Sequence, residues 1–352
     1  MLRSLGLFLE ERLRARGLID FLSKKEVPRH RHSFWYIFGG LSLFFFLIQL
    51  ITGVLLLIYY SPTPQTANES VRFILAQVPS GWLIRSIHSW SSNLMIGCVF
   101  VHLFSTYFMR AYRKPRELMW VSGVVMLFLV LGFGFTGYLL PWDTTAYFAT
   151  QIGTEIPRSI PLAGPAIVTL LRGGEYIAEE SLKRLFALHV VILPLISLLV
   201  IGFHVTLNQL QGSSTPIGIV PQKRGIPFLA NYLYRDALTW TFGTIFLFSL
   251  VLLFPVQLGG KADPFSSAPT GIHPEWYFLT LFETLRLMPG TLFGFDSEMI
   301  VNVGVGLVAL GLLAVPFLDR SAAMERSGKL FPAIGIIAIL YMSLTITLAY
   351  LT

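Results

Sequence analysis

Long uncharged stretches alternate with short charged ones along almost the whole chain. Seven of these stretches reach the roughly 20 residues that an apolar helix needs to cross a bilayer. The pattern therefore predicts seven membrane-spanning helices, which we call spans A to G. In chain order they are expected near residues 34–60, 86–109, 118–140, 185–208, 237–258, 299–318 and 331–351.

The composition also indicates a protein that lies mostly in lipid. Hydrophobic residues make up 54% of the 352 positions and charged residues 13%, against about 25% charged in soluble domains. Most of the 26 Lys and Arg residues fall in connections on one side of the spans, namely 1–33, 110–117, 209–236 and 319–329. Basic connections face the cytoplasm, so the N-terminus is expected there. The net charge of +7 then reflects topology, and no nucleic-acid partner is expected.

We predict an all-α integral membrane fold with a four-helix bundle, spans A to D, followed by three further spans, E to G. Residues 1–33 form a cytoplasmic amphipathic N-terminal segment, with a packed cytoplasmic cap as an equally good alternative. Residues 34–210 form the four-helix domain, 211–236 an inner-side linker that can act as a hinge, and 237–352 a three-helix domain.

Two outer loops are too long to be simple connectors. Residues 143–183 and 261–297 are moderately apolar and are broken by Pro and Gly. We expect short helices in both, and long structured loops are usually functional.

Four of the seven histidines fall inside predicted spans. Span B carries His88 and His102, fourteen residues apart, and span D carries His189 and His204, fifteen apart. Fourteen residues rise about 21 Å and return to nearly the same helix face. On span D the fifteenth residue adds a turn of about 100°, which a kink at Pro194 can help to absorb. His30 and His32 lie in a basic inner segment and are expected to be solvated.

The two helices thus present two histidine pairs, one near each membrane face. His88 and His189 form the outer pair, and His102 and His204 form the inner pair. A haem iron takes one axial ligand above the macrocycle and one below, whereas zinc usually takes three or four ligands. The spacing therefore predicts two bis-histidine b-type haems. Ionisable side chains within a membrane are functional by default.

Glycines on spans A and C repeat the same fourteen-residue period. They are Gly39 and Gly53 on span A, and Gly123 and Gly137 on span C. Glycine permits close approach of another group, so these positions are expected to make room for the haems. Their alternative role is ordinary helix packing.

Two arginines near the membrane faces are candidate partners for the anionic haem propionates. Arg85 precedes the outer pair by three residues, and Arg116 lies beside the inner pair. The alternative role for both is charge that sets topology.

Several motifs together identify a family. The chain contains "GWLIRSIHSW", "GFTGYLLPWD" and "LHVVILPL" in its first four spans and "HPEWYFLTLFETLRLMPG" and "AVPFLD" in its last three. It resembles cytochrome b of quinol:cytochrome c oxidoreductases, with the chloroplast-type haem protein fused to its three-helix companion subunit. The fifteen-residue spacing of His189 and His204 is the chloroplast-type version.

The resemblance implies a function and a site. Quinol is oxidised in an outer pocket, one electron passes to a Rieske-type iron–sulfur protein, and the other crosses the two haems to an inner-face quinone, as in a Q cycle. By this resemblance Glu275 and Tyr277 are catalytic, Glu275 accepts a quinol proton, and Pro274 and Trp276 help to shape the pocket. A c-type cytochrome subunit, lipids, a homodimeric complex and a bacterial inner membrane are implied as well.

The chain departs from the chloroplast-type pattern at two positions. Ile37 stands where that type has a cysteine that attaches a third haem, so no third covalent haem is expected. Gln209 stands where that type has an inner-side arginine, which leaves the inner quinone site unassigned. Asp20, Lys223 and Arg224 are candidates for proton uptake there, with a solvated loop charge as the alternative.

Two other functions compete with this interpretation. A di-haem anchor of a dehydrogenase or hydrogenase would use the same histidine pairs, but would have no need of the P-E-W-Y loop. A transporter with a histidine proton relay would have no need of the layered histidines and glycines. The absorption spectrum of the purified protein separates the haem-binding functions from the transporter.

Overall fold

The computed structural model describes residues 8, 11–12, 15–326 and 328–351. In this part of the chain seven helical segments are long and apolar enough to cross a membrane. They are Ser33–Leu57, Gly81–Phe108, Glu117–Tyr138, Glu179–Gln211, Phe228–Leu253, Ser297–Ala323 and Leu330–Leu351. The seven predicted spans are confirmed, and these segments are spans A to G. The division into domains at 34–210 and 237–352 stays a prediction.

Spans B, D and E begin earlier than predicted, and span E, expected from residue 237, begins at Phe228. Span B begins at Gly81, after Ser80 in a left-handed conformation with φ of 60°. A Cβ on Gly81 would lie 1.9 Å from the carbonyl oxygen of Ile74, so only glycine fits this turn. Span D begins at Glu179, because the charged helix Glu179–Ala187 runs directly into the apolar part of the span. Hydropathy marks the membrane boundary, whereas the helix hydrogen bonds continue beyond it.

Shorter helices fill the connections. The amphipathic N-terminal segment predicted over residues 1–33 contains the helix Ala15–Lys24; most of residues 1–14 lie outside the described part of the chain. The outer loop 143–183 contains the predicted short helices. The remaining helices outside the spans are Ala67–Ala76, Thr144–Glu155, Ile156–Ser159, Gly164–Arg172, Trp276–Phe278 and Leu279–Leu287.

Two small strand pairs were not expected from the sequence. Glu26–Val27 pairs antiparallel with Ile226–Pro227, and Thr291–Leu292 pairs with Phe295–Asp296. The first pair ties the N-terminal segment to the linker 211–236. The linker is therefore anchored at this point, although a hinge was considered for it.

The expectation that His30 is solvated is wrong. Its side chain is buried, and Nε2 lies 2.6 Å from the hydroxyl of Tyr36. Burial, followed by the nearby charge of His32, lowers the pKa of His30. The Tyr36 hydroxyl in turn donates a hydrogen bond to the carbonyl of Ser214. His30 thus helps to attach the segment before span A to the linker.

The spans pack as a bundle of four with three additional helices around it. Span A packs along span B and span C along span D, while span F packs against span C and span E against spans A and B. A buried ion pair joins the two parts at the inner side, where Nε of Arg110 lies 3.6 Å from Oδ2 of Asp319. Tyr112 also donates a hydrogen bond of 2.7 Å to Asp319.

Candidate functional site: two histidine pairs and an outer cavity

The four histidines predicted as haem ligands face each other between spans B and D. The ring centroids of His88 and His189 are 6.4 Å apart, with an interplanar angle of 71°. Two metal–nitrogen bonds of about 2 Å, plus the distance from each nitrogen to its ring centre, account for a separation of this size. At the inner end His102 lies near His204 on the facing span.

Hydroxyl groups on spans A and C hold the second nitrogen of three of these rings. Nδ1 of His88 lies 2.8 Å from Oγ1 of Thr52, and Nδ1 of His189 lies 3.1 Å from Oγ1 of Thr136. Nδ1 of His204 lies 2.9 Å from Oγ of Ser122.

The hydroxyl protons fix the tautomer of the rings. Thr52, Thr136 and Ser122 each donate their own proton to a backbone carbonyl one turn earlier, at 2.7, 2.7 and 2.9 Å. Each hydroxyl is therefore an acceptor toward the ring, and Nδ1 carries the ring proton. The lone pair is left on Nε2, which is the form of imidazole that ligates a metal. These residues fit a bis-histidine haem site.

His102 differs from the other three histidines. Its Nδ1 is buried and has no hydrogen-bond partner in the described residues. The difference is visible in the sequence once the geometry is known. Thr52, Ser122 and Thr136 each directly precede one of the four periodic glycines, whereas Phe38 precedes Gly39. A hydroxyl residue before the glycine is the signal that sequence reasoning missed.

Each of the four periodic glycines lies against the ring of one histidine. A Cβ on Gly39 would lie 3.0 Å from Cε1 of His102, and one on Gly53 would lie 3.4 Å from Cε1 of His88. The same distance is 3.4 Å for Gly123 to His204 and 2.6 Å for Gly137 to His189. The glycines therefore admit the imidazoles themselves, a role more specific than the open space for haem expected from the sequence.

We expect Gly137→Ala to reduce the outer haem content strongly, because the new Cβ would overlap the His189 ring at 2.6 Å. The matched control on the same span is Gly132→Ala, whose Cβ would meet only Leu193 at an ordinary 3.7 Å. Haem content is measured by reduced-minus-oxidised absorption spectra per mole of protein. Equal haem content in the two variants would contradict the role of Gly137.

A π-helical turn absorbs the extra residue between the histidines of span D. The segment Leu188–Ile192 is π-helical, and the backbone N–H of Leu193 donates to the carbonyl of Leu188, five residues earlier. Single π turns insert one residue into an α-helix and often occur at functional sites. The turn contains His189 and ends two residues before Pro194. The extra residue is thus absorbed mainly upstream of the proline at which a kink was expected.

Deleting Val191 from the π turn is expected to leave both haems in place, since the turn can revert to α-helix with His189 and His204 still on one face. Deleting Leu198 from the α-helical part Leu193–Gln211 instead rotates one histidine relative to the other by about 100°. That control should lose the outer haem. Loss of the outer haem in both deletions to the same extent would contradict the π-turn explanation.

The two arginines predicted near haem propionates are held by backbone carbonyls. Arg85 donates to the carbonyls of Val256 and Gln257 at 3.0 and 3.4 Å. Arg116 donates to those of Gly212 and Gln211 at 3.2 and 3.1 Å. Both therefore stabilise chain connections at the ends of spans, and their contact with propionates stays a prediction.

A cavity of about 350 Å³ opens between the outer loop 143–183 and the P-E-W-Y loop. Its walls are mainly apolar side chains from span C, the two loops and span F. Pro274 and Glu275 line it, together with Tyr138 and Asn302. Large apolar pockets with a few convergent polar groups are the usual form of a small-molecule site.

Glu275 is the acidic residue among those that line this cavity. Its side chain is half-buried, and burial raises its pKa above the usual range for a carboxyl group. Tyr138 lies close enough to interact with it electrostatically. A carboxylate in this environment can take up a proton at a higher pH than a solvated one.

Trp276 and Tyr277 lie behind the cavity instead of lining it. The indole of Trp276 donates a hydrogen bond of 2.8 Å to Oδ1 of Asn93 on span B. Tyr277 packs so closely on span C that a Cβ on Gly134 would lie 2.6 Å from its hydroxyl. Both side chains anchor the loop that carries Glu275 to the four-helix bundle.

Asn302 is a cavity residue that sequence reasoning missed. Its Nδ2 donates to the carbonyl of Ile156 and to Oγ of Ser159, both at 2.7 Å. It thereby joins span F to the loop 143–183. The sequence carries only the weak signal of a single amide in an apolar span.

Family models match both parts of the chain. The model described as cytochrome b/b6/petB matches residues 22–212. The model described as cytochrome b(C-terminal)/b6/petD matches residues 261–352.

Individual relatives agree with these matches. The cytochrome bc complex cytochrome b subunit of Chlorobaculum thiosulfatiphilum is 48% identical over 343 residues, which are 96% of this chain and 78% of that protein. Cytochrome b6 of Synechococcus sp. (strain JA-3-3Ab) is 41% identical over 210 residues, which are 60% of this chain and 97% of that protein.

A solved structure, titled hyperthermophilic respiratory Complex III, superposes on this chain with a TM-score of 0.86 at 30% identity. The match covers 97% of this chain and 90% of that one. The fold, the family models and the identity over nearly the whole length agree. The chain therefore belongs to the cytochrome b family of bc-type complexes, integral membrane electron-transfer proteins that carry b-type haems and bind quinone.

Proposed function

We propose that the chain is the quinol-oxidising subunit of a respiratory or photosynthetic quinol:cytochrome c oxidoreductase. Quinol is oxidised in the outer cavity, a quinone is reduced at the inner face, and protons are released outside and taken up inside, as in a Q cycle. When bound, two b haems supply one-electron carriers between these two sites. The observation that supports this best is the outer ring pair, His88 and His189, 6.4 Å apart.

The chain's own residues hold these groups in a defined way. His88 and His189 would hold the iron of the outer haem through Nε2, and His102 and His204 would hold that of the inner haem. Thr52, Thr136 and Ser122 keep the ring proton on Nδ1 of three of them. An ionised group in lipid has a high free energy, and neutral imidazoles held in one tautomer avoid this cost.

Glu275 is the residue that we assign to proton transfer from quinol. Its burial favours the protonated carboxyl, so the ionised form is a stronger base than a solvated carboxylate. Pro274 holds the loop beside it along the cavity wall. Tyr277 is also buried, and the charge of Glu275 contributes to the rise of its pKa. We therefore assign Tyr277 and Trp276 to positioning of Glu275.

A lysine of the N-terminal segment, Lys25, lies beside Gln209 at the inner end of span D. Nζ of Lys25 donates to Oε1 of Gln209 at 2.5 Å and to the carbonyls of Gln209 and Asn208 at 3.1 and 3.3 Å. Burial lowers the pKa of Lys25. A cation is thus present beside the position at which the family type has an arginine. We infer that Lys25 takes part in the inner site, for which Asp20, Lys223 and Arg224, all exposed, were the candidates from the sequence.

Asp236 is, besides Asp20, a second acidic candidate for proton uptake at the inner end. Its Oδ2 lies 3.5 Å from the place of a Cβ on Gly40, one residue after the glycine that receives His102. We also expect no third covalent haem at this end, because Ile37 offers no thiol.

The membrane placement and partners follow from the same proposal. The basic connections favour a cytoplasmic N-terminus in a bacterial inner membrane. The described residues offer no group of three or more His, Cys, Asp or Glu side chains that could hold a further metal ion. By the family resemblance, a Rieske-type iron–sulfur protein and a c-type cytochrome are the proposed electron acceptors, in a complex that forms a homodimer within lipid.

The proposal is tested on the purified complex by its haem spectrum and by quinol oxidation. We expect two b haems per chain, both reduced on addition of quinol. A di-haem anchor would show the haems without oxidation of quinol at the outer cavity, and a histidine-relay transporter would show no haem. Either result would overturn the proposal.

A further inference from the structure

Asn302 carries a hydrogen-bonding group that its contact with the loop 143–183 leaves unused. It lies in the second turn of span F and lines the outer cavity of about 350 Å³. The bonds from its Nδ2 to the carbonyl of Ile156 and to Oγ of Ser159 account for both hydrogens of the amide nitrogen. The contact with the loop therefore explains the nitrogen of this side chain but not its oxygen.

The contact with Ile156 also fixes which way the amide faces. A backbone carbonyl can only accept a hydrogen bond, so the nitrogen of Asn302 and not its oxygen must lie against it. The Ser159 hydroxyl agrees with this orientation, because it donates to the same carbonyl at 3.4 Å and so presents a lone pair to Nδ2. In the part of the chain that the structure describes, nothing donates to Oδ1 of Asn302, and this atom is not fully buried.

The other polar groups of the cavity wall have different capacities. The hydroxyl of Thr150 donates to the carbonyl of Ala146 at 2.7 Å, within its own helix. The hydroxyl of Tyr138 can donate as well as accept, and the carboxyl group of Glu275 does the same once it is protonated. Asn302 differs from these two residues, since its free group is an acceptor only and cannot gain a proton.

We propose that Asn302 makes the outer cavity selective for quinol over quinone. This inference rests on the proposed oxidation of quinol in the same cavity. Each quinol hydroxyl has a hydrogen to donate, whereas each oxygen of a quinone is a carbonyl and can only accept. Oδ1 thus accepts a hydrogen bond from quinol but opposes the quinone carbonyl as one acceptor against another.

The same hydrogen bond changes during the reaction. Quinol loses two protons and two electrons and becomes quinone, and the electrons pass to the iron–sulfur protein and the outer haem, as proposed above. The hydroxyl that faces Asn302 becomes a carbonyl, so its hydrogen bond to Oδ1 is lost. A buried polar group that loses its partner weakens binding, and the product therefore leaves the cavity more readily than the substrate.

The test compares the affinity of the purified complex for the two forms. Decylubiquinol is the electron donor and decylubiquinone the product inhibitor, and the measured quantity is the inhibition constant of the quinone divided by the KM of the quinol. Leucine is close to asparagine in shape but has no acceptor. We expect Asn302→Leu to raise KM roughly fivefold, the effect of one hydrogen bond, without raising the inhibition constant, so that the ratio falls roughly fivefold.

Two matched variants separate this role from a structural one. Ser159→Ala removes a loop partner of Asn302 but keeps Oδ1, and Val305→Ala alters the same cavity wall one turn further along span F without changing a polar group. Both should keep the ratio of the unaltered complex, whatever they do to turnover. The inner quinone site is the same in all variants, so its contribution is common to every ratio.

The outcomes distinguish this inference from the proposed function. An unaltered complex that oxidises neither decylubiquinol nor menadiol would overturn the proposed function and this inference with it. If the unaltered complex oxidises quinol and carries two haems, but Asn302→Leu gives the same ratio as Ser159→Ala, only the selectivity of Asn302 is refuted. Haem content checks the assembly of each variant, and Asn302→Ala takes the place of Asn302→Leu if the latter lacks haem.

Discussion

Replacing His88 or His189 by alanine is expected to remove the outer haem and to leave most of the inner one. The two rings are 6.4 Å apart and are held by Thr52 and Thr136, so each would supply one of the two ligands of the outer haem. The inner pair lies fourteen or fifteen residues further along the two spans, about 21 Å away. Loss of one iron should therefore not uncouple the ligands of the other.

Low-temperature absorption spectra and a pyridine haemochrome assay would measure this change as a fall from two haems per chain to about one. The reciprocal variants, His102→Ala and His204→Ala, should lose the other spectral component. His32→Ala is the matched control, because His32 lies before the apolar part of span A. Retention of both components in His88→Ala and His189→Ala would refute the outer pair.

Glu275→Gln is expected to slow quinol oxidation by about tenfold to a hundredfold while both haems remain, toward the lower end of what a positioned general base contributes. Glutamine keeps the size and polarity of the side chain but cannot accept the proton. The remaining rate reflects transfer to water or to a partner protein.

The pH dependence of the same variant gives a sharper result. Burial raises the pKa of Glu275, so the fraction of the active, ionised form increases as the pH rises through that raised value. The rate of the unaltered protein should fall as the pH drops below it, at a higher pH than the ordinary value of about 4.3 for glutamate. Glu275→Gln should lack this fall. Glu298→Gln, at an exposed carboxylate on span F, should keep it, and an identical pH profile for both variants would remove Glu275 from the mechanism.

Much of the fold can be predicted from local sequence. The features that could not be predicted depend on the aqueous parts of helices or on contacts between distant residues. Seven uncharged stretches predict seven spans because a bilayer has a fixed thickness. Their ends were less well predicted, because Gly81 and Glu179 begin helices in water, where hydropathy carries no signal. The burial of His30 was missed because it depends on Tyr36 and on the distant linker.

The histidine pairs could be predicted because their spacing is a property of single helices. The cavity could not, because it joins span C, the loop 143–183, the P-E-W-Y loop and span F, which are far apart in the chain. The family resemblance indicated Glu275 as a site residue. Only the tertiary structure shows that Glu275 lines the cavity whereas its neighbours Trp276 and Tyr277 face the bundle. The fifteen-residue spacing on span D did indicate an extra residue, but the sequence alone placed its absorption at Pro194, whereas the structure places it in the π turn at His189.

Nδ1 of His102, which has no hydrogen-bond partner among the described residues, would affect the redox potential of the proposed inner haem. An imidazole whose N–H is bonded to an acceptor is the more basic ligand, and more basic ligands favour the oxidised metal. Both outer rings have such an acceptor, whereas in the part of the chain that the structure describes only one inner ring does. Two otherwise identical haems would then differ in reduction potential, with the inner one easier to reduce. Phe38, which stands before Gly39 in place of a hydroxyl residue, would thus make electron transfer from the outer to the inner haem thermodynamically favourable.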